Sequence, residues 1–427
     1  MTISQRDNAV IWHPYTQMQT ALPAVGIVRG EGAHIYDESG KRYIDAIASW
    51  WTNIHGHAHP YLSAAIASQS SVLEHLIFAG FTHEPAVKLA EMLVKILPDN
   101  QKRVFYSDNG STAVEVALKM AFQYWQNKGT PRTKVIALSE AYHGDTFGAM
   151  SVSGRSAFTQ MFESLMFSTA YVGAPIPGQE ASALKELKSI LAEEANNIAA
   201  FIYEPLVQGT AGMRMMNPEG LDALISLCRR HGILCIADEV MTGFGRTGKM
   251  FASEYLEQKP DLVCLSKGLT GGMMALGVTT STAEIYEAFL SENKMKTFFH
   301  GHSYTANPIA CSAGIASLEL FEKEATLQKI ARITLLNKTF AEKIKSHKTL
   351  SAVRHLGVIL ALELETTEGN SYFNTIRDEA YAWFLEKGIL MRPLGNIIYI
   401  MPPYCIQEND LHSVYQAVTE FLDRKKC

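Results

Sequence analysis

Two residues of opposite charge, Asp238 and Lys267, each follow a short apolar segment of the chain. The segments Ile233–Ala237 and Leu262–Ser266 have the length and composition typical of buried strands. An acid and an amine at the ends of neighbouring strands can face one another across a cofactor. Pyridoxal phosphate requires that pair, because a lysine forms the Schiff base and a carboxylate keeps the pyridine nitrogen protonated.

This interpretation predicts two roles for Lys267 and one for Asp238. A protonated ring nitrogen makes the cofactor an electron sink, so that a carbanion can form beside the imine. Lys267 is expected to anchor the cofactor and then to move protons as a general acid and base, which requires burial to lower the pKa of its amine. Considered alone, Asp238 is also consistent with a carboxylate that caps the next turn.

A turn that could bind phosphate follows another predicted strand. In Ser107–Lys119, Gly110 allows the backbone to approach a ligand. Ser111 and Thr112 can cap a helix whose free N–H groups favour an anion, although an ordinary capped helix has the same pattern. Tyr142, beyond the end of the next strand, could lie flat on a pyridine ring or belong to the core.

A different chemistry is suggested by His55, His57 and His59. Alternation along a strand would place the three imidazoles on one face, where they could bind a metal ion and support a metal-dependent hydrolase. Gly56 and Pro60 favour a loop, however, and no carboxylate adjacent in the sequence is available to complete a zinc site. No metal is therefore predicted, and the hydrolase stays a distant alternative.

Aromatic residues and arginines are candidates for a substrate pocket. Trp50 and Trp51 could line an apolar pocket, attract a ligand cation or simply pack. Arg392 lies between apolar runs, where it could grip a substrate carboxylate or form a structural salt bridge. The glycine-rich loop Gly243–Gly248 could hold Arg246 near the site.

The elements that must position these residues alternate between strand and helix from about residue 84 to residue 282. This order predicts an α/β fold with a mostly parallel central sheet flanked by helices, in which ligands bind outside the carboxyl ends of the strands. Residues 33–47 predict a hairpin. We expect a large domain at residues 52–318 and a smaller α+β domain formed by both termini, residues 1–51 and 319–427. The main predicted elements are strands Arg103–Ser107, Lys134–Ser139, Ala199–Glu204, Ile233–Asp238, Leu262–Ser266 and Gly277–Thr282, and helices Ala86–Leu97, Thr112–Asn127 and Pro218–His231.

The composition argues against several classes of partner. The chain has 427 residues, 47% of them hydrophobic, and its net charge of −5 gives no electrostatic basis for binding nucleic acid. No apolar run approaches the ~18 residues of a membrane helix, and Met1–Asn8 lacks the apolar region of a secretory signal. Six cysteines without a Cys-x-x-Cys pair are typical of free thiols in a reducing cytoplasm.

Several of these segments resemble one enzyme family. Asp238–Val240, Gly243–Gly248 and Ser266–Gly272 are similar to motifs of the class III pyridoxal-phosphate aminotransferases. Further segments extend the resemblance to those members that make 7,8-diaminononanoate for biotin synthesis. These segments are Trp12–Thr16, Ser49–His57, Ala141–Met150 and Tyr399–Pro403.

The resemblance implies a fold-type I transferase and a homodimer with its active sites at the subunit interface. Lys267 would carry the Schiff base, and Asp238 would pair with the pyridine nitrogen. Arg392 would bind the carboxylate of the keto substrate. The cofactor would also be held by Gly110, Ser111, Tyr142 and a Ser303 contributed by the second subunit. The substrates would further contact Tyr15, Trp50, Trp51, Tyr142, Asp145, Lys267 and Gly301.

The implied reaction is a ping-pong transfer of an amino group from S-adenosylmethionine to 8-amino-7-oxononanoate. The segment His300–Pro308 departs from the common family pattern, because His302 replaces a proline. Relatives with the same Gly-His-Ser-Tyr sequence include enzymes thought to use lysine as the donor. Tyr15 and the paired Trp50 and Trp51 favour S-adenosylmethionine. The alternatives are lysine as donor, or another ω-amino acid transferase with the same cofactor.

Overall fold

The structure is a computed structural model that describes residues 1–368 and 372–425 of the chain. Its strands are β1 (Ile27–Glu31), β2 (His34–Asp37), β3 (Arg42–Asp45), β4 (Gln101–Ser107), β5 (Lys134–Leu138), β6 (Thr169–Val172), β7 (Ile198–Tyr203), β8 (Val207–Gln208), β9 (Arg214–Met215), β10 (Leu234–Asp238), β11 (Leu262–Leu265), β12 (Gly277–Thr282), β13 (Leu350–Leu356), β14 (Ile359–Leu364), β15 (Ile389–Leu390) and β16 (Ile397–Ile400). Its helices are α1 (Ile3–Val10), α2 (Ala48–Trp51), α3 (Pro60–Ser70), α4 (Glu84–Ile96), α5 (Gly110–Asn127), α6 (Phe147–Val152), α7 (Glu180–Glu194), α8 (Pro218–Arg230), α9 (Ala283–Glu287), α10 (Pro308–Lys323), α11 (Thr326–Ile344), α12 (Ile376–Glu386) and α13 (Glu408–Arg424). Short 3-10 helices lie at Gln160–Leu165, Ala195–Asn197, Ala252–Tyr255, Lys267–Thr270 and Lys294–Lys296.

The central sheet has seven strands in the order β4-β12-β11-β10-β7-β5-β6. It is parallel except at β12, which runs antiparallel to both of its neighbours, β11 and β4. Every residue of β7 and of β10 is buried, as expected for strands with helices on both faces of the sheet. The predicted α/β class with a mostly parallel sheet is confirmed, while the antiparallel direction of β12 was not foreseen.

The helix that follows β4 begins earlier than predicted and has a different cap. Asn109 accepts a hydrogen bond from the Thr112 backbone N–H (3.0 Å), and the Thr112 hydroxyl oxygen accepts one from the Asn109 N–H (3.0 Å). This reciprocal capping box starts the helix at Gly110 rather than at Thr112. The expectation that Ser111 caps the helix was wrong, and its hydroxyl instead accepts from the Asp145 N–H (3.2 Å).

Both ends of the chain meet in a second sheet of order β1-β2-β3-β15. The predicted hairpin is present as β2 and β3, and β1 extends it by one strand. β15 pairs with β3 in parallel, Ile389 opposite Ile44 and Leu390 opposite Asp45. The segments that follow these two strands therefore leave the sheet side by side. A third sheet, β13-β14-β16, is formed wholly by the C-terminal part of the chain.

The cysteines and helices agree with two expectations from composition. Cys228, Cys235, Cys264 and Cys311 are buried free thiols, and Cys405 is partly buried. Cys427 lies outside the described residues. Among the described residues, none of the helices combines the length and the apolar character needed to span a bilayer.

Candidate active site

The carboxyl edge of the central sheet holds the residues that were singled out from their positions after strands. Asp238 is the last residue of β10, and Lys267 follows the neighbouring strand β11 by two positions. Glu204 comes directly after β7, on the other side of β10. A cavity of about 420 Å³ opens at this edge and is lined by these three residues and by the first turn of α5.

Lys267 is buried in this cavity in an unusual backbone conformation. Its φ of 45° lies in the left-handed region, which L-residues other than glycine and asparagine seldom adopt. Its Nζ lies 4.5 Å from the centre of the Trp51 ring. Burial lowers the pKa of the Lys267 amine to about 8, against the opposing effect of the nearby Asp238 and Glu204 carboxylates. The amine therefore becomes neutral, and nucleophilic, close to physiological pH.

Asp238 is held by a histidine to which the sequence analysis gave no role. The Asp238 Oδ2 atom lies 2.7 Å from His143 Nδ1, and Oδ1 accepts from the Val240 N–H (3.1 Å). Both side chains are buried. The other ring nitrogen, His143 Nε2, is buried without a partner among the described residues. The pair fixes the orientation of the carboxylate towards the cavity.

Glu204 is a second buried carboxylate in the same cavity. It accepts hydrogen bonds from the backbone N–H groups of Tyr142 (3.1 Å) and Gly209 (2.9 Å). Burial raises the pKa of Glu204 to about 7, although the nearby His143 opposes this shift. The sequence analysis placed Glu204 at the carboxyl edge but not in the site. A carboxyl group that titrates near neutrality beside an amine of similar pKa can exchange protons with it.

The residues around the first turn of α5 fit the phosphate and ring of pyridoxal phosphate. The first helical turn presents N–H groups without partners inside the helix, which favours an anion at this end. A side chain at Gly110 would begin 2.7 Å from Val240 Cγ1, so only glycine lets the turn lie this close to β10. Tyr142 lines the same cavity and is partly buried. The structure thus brings Gly110, Ser111, Tyr142, Asp238 and Lys267 together around one cavity, and their contacts with the cofactor stay predictions.

The shifted pKa of Lys267 predicts how the cofactor-free protein takes up pyridoxal phosphate. Only the neutral amine attacks an aldehyde, so the rate of covalent uptake should rise with pH through about 8 and then level off. An ordinary lysine would continue to gain rate up to about pH 10. Borohydride trapping at a series of pH values, followed by peptide mapping, measures labelling at this one position. A rate that keeps climbing above about pH 9.5 would contradict the environment described here.

A hydrogen-bonded group of polar and aromatic side chains borders the cavity entrance. The Tyr15 hydroxyl donates to Asp145 Oδ2 and lies 3.2 Å from the Tyr142 hydroxyl. Burial and the Asp145 carboxylate raise the pKa of Tyr15 to about 12. The ring centres of Tyr15 and Trp50 lie 5.7 Å apart. The guanidinium carbon of Arg392 lies 5.4 Å from the centre of the same Trp50 ring. In the described residues Arg392 makes no ion pair, so the structural salt bridge considered for it is absent.

Trp51 forms part of the cavity floor rather than its entrance. Its Nε1–H donates to the Tyr399 hydroxyl (2.9 Å), and its carbonyl accepts from Arg246 Nη2 (2.9 Å). Arg246 is buried, and its Nη1 donates to the Pro402 carbonyl (3.1 Å). Arg246 therefore supports the floor from behind and does not line the cavity. Tyr399 was quoted in the sequence analysis only as part of a motif.

Two predicted site residues lie outside both the cavity and the group of side chains at its entrance. Gly301 and Ser303 are both exposed and belong to a surface segment between β12 and α10. His302, between them, lies with its Nδ1 atom 2.8 Å from Asp108 Oδ2. The assigned contacts of Gly301 and Ser303 stay predictions.

The three histidines of the metal alternative point to separate partners. His55 Nε2 lies 3.0 Å from the Ser317 carbonyl oxygen, His57 Nε2 lies 2.8 Å from Asp45 Oδ2, and His59 Nε2 lies 2.9 Å from Glu324 Oε1. Carboxylates distant in the sequence thus supply partners that no adjacent residue could. Throughout residues 1–368 and 372–425, no group of three or more His, Cys, Asp or Glu side chains is arranged to hold a metal ion.

Comparison with known proteins identifies the family. Residues 15–422 match the family model of the class III aminotransferases. The chain is 47% identical over 422 residues to adenosylmethionine-8-amino-7-oxononanoate aminotransferase of Synechococcus elongatus, covering 97% of this chain and 98% of the relative. It is similar to the crystal structure of the enzyme of the same name from Methanocaldococcus jannaschii, with a TM-score of 0.92, 38% identity and 98% of each chain covered.

A further solved structure is similar over nearly the whole chain. An omega transaminase from Pseudomonas jessenii, solved in complex with PMP, has a TM-score of 0.94 and 27% identity, covering 99% of this chain and 98% of its own. The family match covers the strands, the cavity and both predicted key residues. The chain belongs to the class III aminotransferases, enzymes that use pyridoxal phosphate, as its motifs predicted.

Proposed function

We propose that this aminotransferase transfers the amino group of S-adenosylmethionine to 8-amino-7-oxononanoate and so makes 7,8-diaminononanoate in the cytoplasm for biotin synthesis. The names of the Synechococcus and Methanocaldococcus relatives support this substrate pair. The observation that carries the proposal is the guanidinium of Arg392, without an ion pair, against the Trp50 ring, which packs on Tyr15 beside the cavity residue Tyr142. A cation without a protein partner at that place suits the carboxylate of the keto acid.

The side chains at the cavity have distinct tasks in this reaction. When bound, pyridoxal phosphate supplies an electron sink for the substrate carbon beside the transferred nitrogen. Lys267 would hold the cofactor through Nζ. Once the amine of the donor has replaced it there, the free Nζ could take the proton from that carbon and, in the second half-reaction, give a proton to the corresponding carbon of the keto acid. Asp238, oriented by His143 Nδ1, keeps a proton on the ring nitrogen. Glu204, with its pKa raised to about 7 by burial, can hold a proton close to Lys267.

The donor would be bound by the aromatic and acidic residues at the entrance. A sulfonium or an ammonium cation is attracted to the faces of tyrosine and tryptophan, here Tyr15 and Trp50. The Asp145 carboxylate adds negative charge beside them. These groups would also accept the side-chain ammonium of lysine, which is the alternative donor. His302 lies at the surface against Asp108 and does not discriminate between the two donors within one chain.

The experiment that tests the proposal compares donors on the purified holoenzyme. S-adenosylmethionine and lysine are each offered with 8-amino-7-oxononanoate, and formation of the diamine is measured. We expect product with S-adenosylmethionine at a kcat/KM at least about tenfold above that with lysine. The reason is that the aromatic side chains at the entrance can stack on the adenine ring, which lysine lacks. Product from lysine alone would overturn the donor, and no product from either would overturn the keto acid.

Replacing Arg392 with alanine should weaken binding of the keto acid. A charged hydrogen bond to the substrate carboxylate is worth about 1.5–3 kcal/mol, so KM for 8-amino-7-oxononanoate should rise by about 10–100-fold. KM for the amino donor should change far less, and Arg392→Lys should recover part of the loss, because it keeps the charge without the bidentate fork. Steady-state kinetics with each substrate varied in turn measures this. An unchanged KM for the keto acid would count against the assigned role.

We further propose that the active enzyme is a homodimer in which Ser303 of one chain completes the phosphate site of the other. Two observations support this arrangement. Ser303 is exposed and outside the cavity of its own chain. The surrounding segment also exposes large apolar side chains, among them Met295 at 76% and Phe299 at 67%, as is typical of a surface that a partner covers.

The division into a domain of residues 52–318 and a terminal domain remains part of this proposal, supported by the pairing of β3 with β15.

Mixing two inactive variants tests the shared site. Lys267→Ala and Ser303→Asp should each be inactive, the second because its carboxylate repels the cofactor phosphate. Random pairing after co-expression should restore about a quarter of wild-type activity, because about half of the dimers then carry one site with neither change. Gel filtration checks that each protein is a dimer. An inactive mixture of dimers, or a monomeric wild-type enzyme, would refute the proposal.

A further inference from the structure

Two segments of the site are held in backbone conformations that are unfavourable for their residues. The tryptophan turn, Ala48–Trp51, has φ values of 50° at Ala48, 59° at Ser49 and 68° at Trp51. The lysine turn, Lys267–Thr270, begins with a φ of 45° at Lys267. Such conformations persist only where the surroundings hold them in place. The contacts that hold these two turns should therefore affect the geometry of the site.

His57 holds the tryptophan turn through a buried carboxylate. Asp45, which is fully buried, accepts hydrogen bonds from the Ile47 N–H (3.1 Å) and, inside the turn, from the Ser49 N–H (2.7 Å). The same carboxylate lies 2.8 Å from His57 Nε2. Asn53 Nδ2, 3.4 Å from His57 Nδ1, is placed to donate to that nitrogen, which leaves Nε2 as the donor to Asp45. One imidazole thus completes the hydrogen bonding of the carboxylate that fixes the turn.

His55 holds the lysine turn through a serine of α10. His55 Nε2 lies 3.0 Å from the Ser317 carbonyl oxygen and 3.2 Å from the Ser317 hydroxyl oxygen. The Ser317 hydroxyl donates to the carbonyl of Gly268 (3.2 Å), the residue after Lys267. Burial lowers the pKa of His55 to about 3, so the ring is neutral and can donate from one nitrogen only. A side chain at Gly271 would begin 3.2 Å from the His55 Cδ2 atom, so glycine there leaves room for the imidazole.

We propose that His55 and His57 act as a pair of positioning residues, His57 for the tryptophans and His55 for Lys267. This proposal concerns the same site as the proposed function. Only its expected effects on KM and kcat depend on that function. The Gly56 between them has a φ of 94°, and a side chain there would begin 2.6 Å from Cys405 Sγ and 2.8 Å from the Gly32 carbonyl. Glycine at this position therefore lets the chain bend between the two histidines, whose partners lie on different elements, Ser317 in α10 and Asp45 in β3.

The two contacts predict separable defects. His57→Ala should loosen the tryptophan turn, raise KM for both substrates about tenfold and leave kcat within about threefold, because the turn presents Trp50 to the substrate. His55→Ala should instead lower kcat about tenfold with little change in KM, because it loosens Lys267. A merely structural role would change kcat and KM together in each variant, in proportion to the loss of thermal stability.

Two measurements on the cofactor-free protein do not depend on the substrates. We expect His57→Ala to change the tryptophan emission spectrum while pyridoxal phosphate uptake keeps its rate. We expect His55→Ala to slow that uptake by about tenfold, because a loosened lysine must be reordered before it reacts. These outcomes would hold even if the true substrates differed from those proposed. Failure of the donor assay and failure of the positioning proposal are thus distinguishable.

Matched variants separate positioning from folding. His55→Gln and His57→Gln place an amide N–H near the original Nε2 donor and should restore most of each property. His347→Gln removes a histidine that also lies beside a carboxylate, Asp423 Oδ1 at 3.3 Å, but belongs to a different segment of the chain, and it should behave as wild type. If His55→Ala does not fold, Ser317→Ala cuts the same link to Gly268 and should slow cofactor uptake. Equal effects of the His55 and His57 changes on all properties, or no effect in folded variants, would overturn the proposal.

Discussion

Replacing Lys267 with alanine is expected to lower turnover by about 10⁴-fold or more, since one atom provides both the covalent anchor and the proton transfer, the latter alone worth about 10²–10⁴-fold. The amine lies buried at the end of β11, and burial lowers its pKa to about 8. No other lysine is among the residues that line the cavity. Formation of 7,8-diaminononanoate under saturating substrates measures the loss, with thermal unfolding as the check that the variant is folded.

Lys249 provides a matched control for this change. Its Nζ lies 4.2 Å from the Tyr255 ring centre, so it is also a lysine against an aromatic face, but it is exposed and outside the cavity. Lys249→Ala should keep wild-type turnover. Borohydride reduction of the holoenzyme should place the cofactor label on Lys267 in the wild type and in the control. Turnover near the wild-type rate in Lys267→Ala would refute the assignment of both the covalent anchor and the proton transfer to Lys267.

The positions of Asp238 and Lys267 could be predicted because both depend on local signals. Each follows an apolar run short enough for a strand, and parallel strands end at a common edge. Neighbouring strands in the sheet, β10 and β11, then bring the two residues together. The same reasoning reached Glu204 at the end of β7 but gave no reason for a role. That reason is its burial, which depends on helices and loops distant in the chain.

His143 was missed although it lies between two residues that were noticed. Its neighbour Tyr142 was considered for its ring, while the histidine was given no role of its own. The signal that could have found it is general: a carboxylate that must keep one orientation usually has a hydrogen-bond partner. Which residue fills that place is decided by the path of the loop between β5 and α6. That path has no periodicity that a sequence pattern could reveal.

The role of Arg392 could not be decided from the sequence because both alternatives use the same residue type. The decision depends on whether a carboxylate lies within reach, which is a matter of tertiary structure. β15 runs parallel to β3, so the segment with Arg392 and the segment with Trp50 leave the sheet at the same end. The two side chains meet there at 5.4 Å. A pairing of strands separated by more than three hundred residues gave the arginine an aromatic neighbour in place of an acid.

The histidines at positions 55, 57 and 59 show the limit of reasoning from adjacency. The spacing suggested a common ligand, and the lack of a neighbouring carboxylate argued against one. The structure provides carboxylates for two of the three, from Asp45 and Glu324, but directs each histidine to a different partner. The strand alternation that would have placed the three imidazoles on one face is absent, and the segment forms the loop that Gly56 and Pro60 favoured. The direction follows from the loop conformation around Gly56.

Replacing Asp238 with asparagine is the second change with a large expected effect. Asparagine keeps the shape of the side chain but removes the negative charge that holds a proton on the ring nitrogen. Loss of one such preorganised electrostatic contact costs about 10²–10³-fold in kcat. Asparagine has one carbonyl oxygen for the two donors that Asp238 serves, His143 Nδ1 and the Val240 N–H, so one of these hydrogen bonds is lost and thermal unfolding must be measured beside kcat. KM for either substrate should change little, since Asp238 lies beneath the cofactor site and away from the entrance formed by Tyr15 and Trp50.

The measurement for Asp238→Asn is kcat for each half-reaction, together with the absorption spectrum of the bound cofactor. A deprotonated ring nitrogen should shift that spectrum even when no substrate is present, which separates loss of charge from loss of fold. Asp222→Asn is a suitable control, because Asp222 is a carboxylate that accepts two backbone N–H groups, of Glu257 and Gln258, away from the cavity. It should leave both the spectrum and kcat unchanged. If Asp238→Asn kept the wild-type spectrum and rate, a group other than Asp238 would keep the ring nitrogen protonated. The buried Nε2 of His143 would be the next atom to test.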